Sequence, residues 1–182
     1  MKKEIFIISV LLVLTLISFH YDDSFSNFLV NHRNSYLDSF MTFITTTIVD
    51  IIIFLLLIFF IYLNNRNIKQ VVLMLCIIII TLLVSSLLKI IIARPRPLIT
   101  SLVKETSYSF PSNHSSVAFS ALPLFMKENK IIGYVWFIIA ILIAFARIYT
   151  GVHYLSDVLA GALLGYVISI VIIKSKYLGF LL

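Results

Sequence analysis

VVLMLCIIIITLL, residues Val71 to Leu83, runs without a single charge, and shortly after it the chain turns to Lys89-Ile-Ile-Ile-Ala-Arg94-Pro95-Arg96-Pro97. Two further apolar runs, Ile51 to Leu63 and Ile138 to Phe145, have the same character. Uninterrupted stretches of this kind are membrane helices rather than the half-polar helices of a soluble core. The composition agrees: 61% of the 182 residues are hydrophobic and 12% are charged, about half the charged share of a soluble domain. Five glycines and four prolines exclude a linker or a low-complexity segment. The expected fold is all-α, a polytopic membrane bundle forming one domain over residues 1–182.

The start of the chain, Met1-Lys2-Lys3 followed by apolar residues Ile5 to Phe19, resembles a signal peptide. It leads into His20-Tyr21-Asp22-Asp23 with no small-x-small cleavage site, so it reads as a retained first helix. Cys76 is the single cysteine and lies inside an apolar run, which excludes an intramolecular disulfide. The net charge of +6 is scattered among the spans, so membrane orientation accounts for it and nucleic acid is not an expected partner.

Six spans are expected: Glu4 to Phe19, Met41 to Leu63, Gln70 to Ile92, His114 to Met126, Ile131 to Ile148 and Asp157 to Ile173. Six crossings place both termini on one side, together with Lys2, Lys3, Arg66, Lys69, Lys127, Lys130, Lys174 and Lys176. The other side carries Arg33, Lys89, Arg94, Arg96, Lys104 and Arg147, four of which (Lys89, Arg94, Arg96 and Arg147) lie in the polar clusters described next. Setting those four aside, the positive-inside rule makes both termini cytoplasmic and the clusters external. The segment Tyr21 to Asp38 is then external, with Phe25, Phe28, Leu29 and Tyr36 spaced for an interfacial helix.

Three clusters place cations and histidines where a membrane protein avoids them. They are Lys89 to Pro97, then Phe110-Pro111-Ser112-Asn113-His114, then Ala146-Arg147-Ile-Tyr-Thr-Gly151-Val-His153-Tyr-Leu-Ser156-Asp157. The span order puts all three at the same, outer face. Lys89, Arg96 and Arg147 supply fixed positive charge, and arginine grips two oxygens of an oxyanion at once. Pro95 and Pro97 stop the third helix. Ser112 offers a hydroxyl, and Asn113 and His114 offer backbone N–H groups at a helix start. His153 and Asp157 are four apart, so a helix sets them on one face. A carboxylate so placed fixes the imidazole tautomer and steadies the charge that develops when the other nitrogen attacks phosphorus. His114 can protonate the departing oxygen.

These clusters resemble the motifs of the type-2 phosphatidic acid phosphatase superfamily: K-x6-R-P (Lys89 to Arg96-Pro97), P-S-G-H (Pro111-Ser112-Asn113-His114) and S-R-x5-H-x3-D (Arg147 to His153 to Asp157). The motif-bearing region is 89–157. The resemblance implies a lipid phosphatase in which His153 becomes a phosphohistidine, Asp157 orients it and His114 is the general acid. It implies that Lys89, Arg96, Ser112 and Arg147 hold the phosphate, with no cofactor and no metal. Asn113 stands at the motif glycine and Ala146 at the motif serine. Within the superfamily the short chain is similar to polyprenyl diphosphatases, which implies an undecaprenyl-type diphosphate substrate drawn from the membrane lipids. A phosphatase for phosphatidic acid or phosphatidylglycerol phosphate would carry the same residues. A transporter relaying protons through Asp50, His114, His153 and Asp157 ranks behind both, because spans one and three lack ionisable residues through their middles, and a non-catalytic lipid-phosphate-binding protein is disfavoured by the intact His114, His153 and Asp157.

Simpler readings exist for several positions. Lys89 alone would be a snorkelling side chain, and Asp157 also suits a helix cap. Asp50 is either a functional intramembrane carboxylate or a headgroup-zone residue beside Thr45, Thr46 and Thr47. His20 and His32 read as surface residues, and Tyr134 and Trp136 as belt aromatics. Gly161 and Gly165 are spaced for close helix packing.

Overall fold

The computed structural model describes residues 2–46, 49, 51, 52, 54–56, 58, 59, 62 and 68–175. Six helices are delimited: α1 (Lys2–Asn31), α2 (Ser35–Ile44), α3 (Ile68–Ile92), α4 (Asn113–Glu128), α5 (Lys130–Tyr149) and α6 (Leu155–Lys174). The described residues between 49 and 62 are also helical, and no described residue is in a strand. Four of these helices, α1, α3, α5 and α6, are long and apolar enough to cross a membrane. α4 has 16 residues, short of the ~20 that span a bilayer alone.

The expected spans four, five and six coincide with α4, α5 and α6 to within two residues, and the third with α3. The first and second differ. α1 does not stop at Phe19 but runs unbroken to Asn31, because nothing from His20 to Asn31 is a helix breaker. Its buried residues Thr15, Ser18, Asp22, Ser26 and Leu29 recur every three or four positions, a polar stripe down one face. The second span as drawn from Met41 starts inside α2. That helix opens on Asn34, whose side chain accepts from the Leu37 N–H, and closes at Thr45. Asp50 lies outside the described residues.

α3 shows how one helix serves both lipid and core. Gln70, Leu73, Met74, Ile77, Thr81, Ser85 and Lys89 are buried along one stripe, while Ile79, Leu83, Leu87, Ile90 and Ile91 are exposed on the rest. An outward face of isoleucine and leucine is stable only against acyl chains. Lys89 ends the inward stripe, so its ammonium is delivered to the interior end of the bundle. The helix then stops at Ala93, whose φ of 49° is left-handed, and Pro95 prevents its resumption.

Among the described residues α4 and α6 make the most extensive helix contact, and α1 also packs against α6. A side chain on Gly165 would meet the Ser116 carbonyl oxygen at 1.9 Å, and one on Gly161 would meet the Ser112 carbonyl oxygen at 2.6 Å. The two glycines therefore let the backbones of α4 and α6 touch. The crossing is further held where the Ser112 N–H donates to the Asp157 carbonyl at 3.0 Å. Trp136, expected in an interfacial belt, is instead buried. Its Nε1 donates to the Ala118 carbonyl at 2.7 Å, and its ring stands edge-on to Phe125 and Phe54. Tyr134 is exposed as a belt residue should be.

Lys174 Nζ and Glu4 Oε1 are 3.2 Å apart, so the start of α1 and the end of α6 share one end of the bundle. Gly165→Ala is expected to cost on the order of 3 kcal/mol through overpacking and to lower the melting temperature sharply. Val171→Ala, on an exposed face of the same helix, should leave it unchanged, and equal melting of the two variants would refute this account of the crossing.

Candidate active site

The end of α3, the start of α4, the end of α5 and the start of α6 meet at the other end of the bundle, beneath the loop of residues 93–112. That loop is fastened by backbone bonds from Ser109 to Arg94 and from Leu102 to Thr150. His153 lies between α5 and α6, just after Gly151, whose φ of +78° suits glycine. A side chain there would also crowd Arg33 Nη2 at 2.9 Å and the Thr100 carbonyl at 3.2 Å.

His153 is 1% exposed and its Nδ1 is 3.5 Å from Asp157 Oδ2. This is a loose contact, of the kind that tightens when substrate binds. Asp157 is fully buried. Its Oδ2 accepts from the Tyr154 N–H at 2.9 Å and from the Ser109 hydroxyl, and its Oδ1 accepts from Arg94 Nη1 at 2.6 Å. Asp157 thus caps α6 and faces the histidine with the same carboxylate. Burial pushes the His153 imidazole down to about 4, against the pull of Asp157 and with the help of Arg147. The ring is therefore neutral near pH 7.

Arg147, in the last turn of α5, is 2% exposed. Its Nη1 donates to Thr45 Oγ1 at 2.6 Å and its Nη2 to Glu105 Oε1 at 2.5 Å. Its Nε is buried and has no hydrogen-bond partner among the described residues. Arg96 donates to the Val152 carbonyl at 2.5 Å and the Ser107 carbonyl at 2.8 Å, with Nη2 3.7 Å from Glu105 Oε2. Lys89 Nζ donates to the carbonyls of Tyr108 at 2.6 Å and Ser109 at 3.2 Å. Burial works against the Glu105 charge, but the bond to Arg147 and the charges of Arg147 and Arg96 outweigh it and hold the carboxyl below its ordinary value. Two guanidinium groups thus converge on one carboxylate, the geometry of an anion site.

Ser112 is the N-cap of α4, its Oγ accepting from the Ser115 N–H at 3.5 Å. His114 sits in the first turn of that helix and interacts electrostatically with Arg147, His153, Glu105 and Lys89. It also borders a cavity of about 380 Å³ whose walls include Phe54, Ile78, Leu82, Val117 and Trp136. Asn113 is on the rim with its side-chain amide 3.4 Å from Ser86 Oγ. The structure therefore gathers His114, His153, Asp157, Lys89, Arg96, Ser112 and Arg147, and turns the Asn113 side chain toward α3. Ala146, at the motif serine, is buried in α5.

The sequence pattern placed Arg94 in the first polar cluster without a role of its own, named Thr45 only beside Asp50, and did not single out Ser109, Asp22 or Glu105. Arg94 and Glu105 are charged residues in a short polar loop, where spacing says nothing about direction. Asp22 had a signal, the polar stripe on α1, obscured by ending the first span at Phe19.

An all-helical, multi-pass membrane protein with a buried anion site at one end of its bundle is the class that fold and geometry define. The chain belongs to the PAP2 superfamily, whose profile matches residues 70–178. It is 38% identical over 92 residues to phosphatidylglycerophosphatase B of Bacillus subtilis, covering 44% of this chain and 45% of that protein. It is 29% identical over 144 residues to the undecaprenyl-diphosphatase BcrC of Bacillus subtilis, covering 76% and 75%. The chain spans less than half the length of the first curated relatives it matches. Among solved structures it superposes on the transmembrane PAP2-type phosphatidylglycerolphosphate phosphatase of Bacillus subtilis with a TM-score of 0.77, 26% identity and 94% of each chain covered. On Aquifex aeolicus LpxE the TM-score is 0.67, with 27% identity and 85% and 95% covered.

The depressed His153 value has a thermodynamic sign. The unfolded ring takes up a proton near pH 6.5 and the folded one only near 4. The stability from burying it neutral is complete above about pH 6.5 and is lost as pH falls toward 4. Thermal melts from pH 7 to pH 5 should show a drop that His153→Gln reduces, and an equal drop in both proteins would contradict the assignment.

Proposed function

We propose that this chain is an integral membrane lipid phosphatase that removes the terminal phosphate of a polyprenyl diphosphate of the undecaprenyl type through a phosphohistidine intermediate. The observation that carries the reading is the buried His153–Asp157 pair beside Arg147, whose Nε is unpaired among the described residues. A neutral imidazole braced by a carboxylate, next to an oxyanion-ready guanidinium, is arranged for attack on a phosphoryl group.

In the first step the Nε2 lone pair of His153 forms a bond to the terminal phosphorus. The bond from phosphorus to the bridging oxygen breaks, its electron pair stays on the lipid monophosphate, and His114 gives that oxygen a proton. Asp157 meets the positive charge on the ring through Nδ1–H. Lys89, Arg96 and Arg147, with the Ser112 hydroxyl, spread the charge of the transferring group. In the second step His114 takes a proton from water, the water oxygen bonds to phosphorus, and the P–N bond returns its pair to Nε2. Orthophosphate and the monophosphate lipid leave. The three cations supply the charge neutralisation, so hydrolysis proceeds without a metal.

The lipid tail would occupy the apolar cavity beside His114, which opens next to the reacting groups. The whole chain, 1–182, acts as one membrane-embedded phosphatase domain. The likeness to BcrC over three quarters of both chains supports the diphosphate substrate. A second reading, phosphatidylglycerol phosphate, has the support of the phosphatidylglycerolphosphate phosphatase superposition over 94% of both chains. Phosphatidic acid fits the same catalytic groups.

The test is phosphate release by detergent-purified protein with EDTA present, from a polyprenyl diphosphate, phosphatidylglycerol phosphate and phosphatidic acid in parallel. Wild-type protein should release phosphate despite EDTA, and His153→Ala should cut the rate by more than about a thousandfold. The polyprenyl diphosphate should be fastest, and a faster glycerophospholipid would reassign the substrate. Wild-type and His153→Ala rates that match would discard the phosphohistidine.

Orientation follows from charge. Lys69, Lys127, Lys130 and Lys174 lie at helix ends remote from the site, and the positive-inside rule makes that end cytoplasmic and the site external. Leu98 is almost fully exposed in the loop over the site. In a Cys76→Ser background, Leu98→Cys should react with a membrane-impermeant maleimide in intact cells. Labelling only after lysis would reverse the orientation.

A further inference from the structure

We propose that Asp22 of α1 is a positioning residue for His153, acting through Arg94 and Asp157. Resting on the reading of His153 as nucleophile, this places part of the catalytic apparatus in a helix outside the 70–178 region that defines the family.

Asp22 is 3% exposed on the buried polar stripe of α1, a costly position for a carboxylate unless it is paired. Among the described residues its hydrogen-bond partners are Arg94 and Ser156, which both border Asp157. Arg94 Nη2 is 2.7 Å from its Oδ2, the Ser156 N–H donates to its Oδ1 at 2.9 Å, and the Ser156 hydroxyl donates to its Oδ2. Arg94 uses its other terminal nitrogen, Nη1, for Asp157 Oδ1 at 2.6 Å and Ser156 Oγ at 2.7 Å. Its guanidinium also lies over the Tyr154 ring, 4.1 Å from the centroid, and 5.1 Å from that of Phe19. A planar guanidinium clamped by two carboxylates and an aromatic face has little freedom left. It sets the plane of the Asp157 carboxylate and so directs Oδ2 at His153.

The arrangement has an electrostatic consequence as well. Arg94 alone would draw charge from Asp157, weakening the partner that must stabilise the cationic imidazole. Asp22 shares the Arg94 charge, leaving Asp157 free to support His153. None of Asp22's recorded contacts reaches Lys89, Arg96 or Arg147, so its loss should affect the chemical step and spare substrate binding. A purely mechanical alternative has Asp22 only pinning α1 to the start of α6 through Ser156.

A double-mutant cycle on the full chain in detergent separates the two. Phosphate release from the polyprenyl diphosphate, kcat and KM apart, would be measured with the melting temperature for wild type, Asp22→Asn, Arg94→Gln and the double variant. His153→Ala is run beside them. Asp22→Asn is expected to lower kcat about tenfold, the low end of the scale for residues that orient a functional group from outside it, with KM within about twofold. In the Arg94→Gln background the same change should cost no further kcat, because the path is already broken. A wild-type kcat in Asp22→Asn, or losses that multiply in the double variant, would overturn the proposal. Where Asp22→Asn does not fold, Asp22→Glu takes its place in the cycle with the same expected dependence on Arg94. Release that survives His153→Ala sinks the nucleophile reading and this inference together. Release lost in His153→Ala but intact in Asp22→Asn sinks this inference alone.

Discussion

Asp157 is a carboxylate with no exposure at all, inside a bundle whose outer surface is isoleucine, leucine and phenylalanine. An ion in that setting is tolerated only when several donors surround it. Here they come from Arg94 and Ser109 in the loop over the site and from the Tyr154 backbone at the start of α6, with His153 Nδ1 3.5 Å away. Meeting that requirement draws the 93–112 loop inward and fixes where α6 begins. Through Arg94 it also brings the middle of α1 against the same point. The architecture around the site follows from keeping one buried charge satisfied.

The second constraint is steric. Gly161 and Gly165 let α4 and α6 approach until backbone meets backbone, which sets the N-terminus of α4, with Ser112 and His114, beside the N-terminus of α6. Two helix starts facing one space concentrate backbone N–H groups and positive dipole ends there. Arg147 and Arg96 add full charges, and Glu105 neutralises part of them. The anion site is therefore assembled from the ends of four helices rather than carried on any one of them. Its width depends on a helix crossing that runs from Ser112 at the site to Ser116 one turn further along α4.

Membrane helices make a favourable case for reading sequence, because the apolar run that crosses the bilayer is also the helix. The limits of α3, α4, α5 and α6 lie within two residues of the apolar boundaries, and the three polar clusters meet at one end of the bundle. Where sequence and structure differ, a local property points one way and tertiary contacts decide the other. Hydropathy falls after Phe19, yet α1 runs on to Asn31, because a helix continues wherever backbone bonds and a partner face allow it. The residue type of Trp136 favours a membrane interface, while its neighbours Phe125 and Phe54 bury it.

By itself the sequence determined an all-helical membrane chain, the positions of most helix ends and the grouping of Lys89, Arg96, Ser112, His114, Arg147, His153 and Asp157 into one neighbourhood. These follow from local quantities: runs of apolar residues, prolines that stop helices, and a four-residue spacing that places two side chains on one face. Only the tertiary structure decided that Asp22 of α1 and Arg94 join Asp157, that Glu105 bridges the two arginines, and that Thr45 supports Arg147. Each of those pairs brings together residues 42 or more positions apart in sequence, or charges in a loop whose direction no periodicity encodes. The physical reason is the packing of α1 and α4 on α6: which distant polar group meets which buried charge depends on how whole helices cross, and that is a property of the bundle.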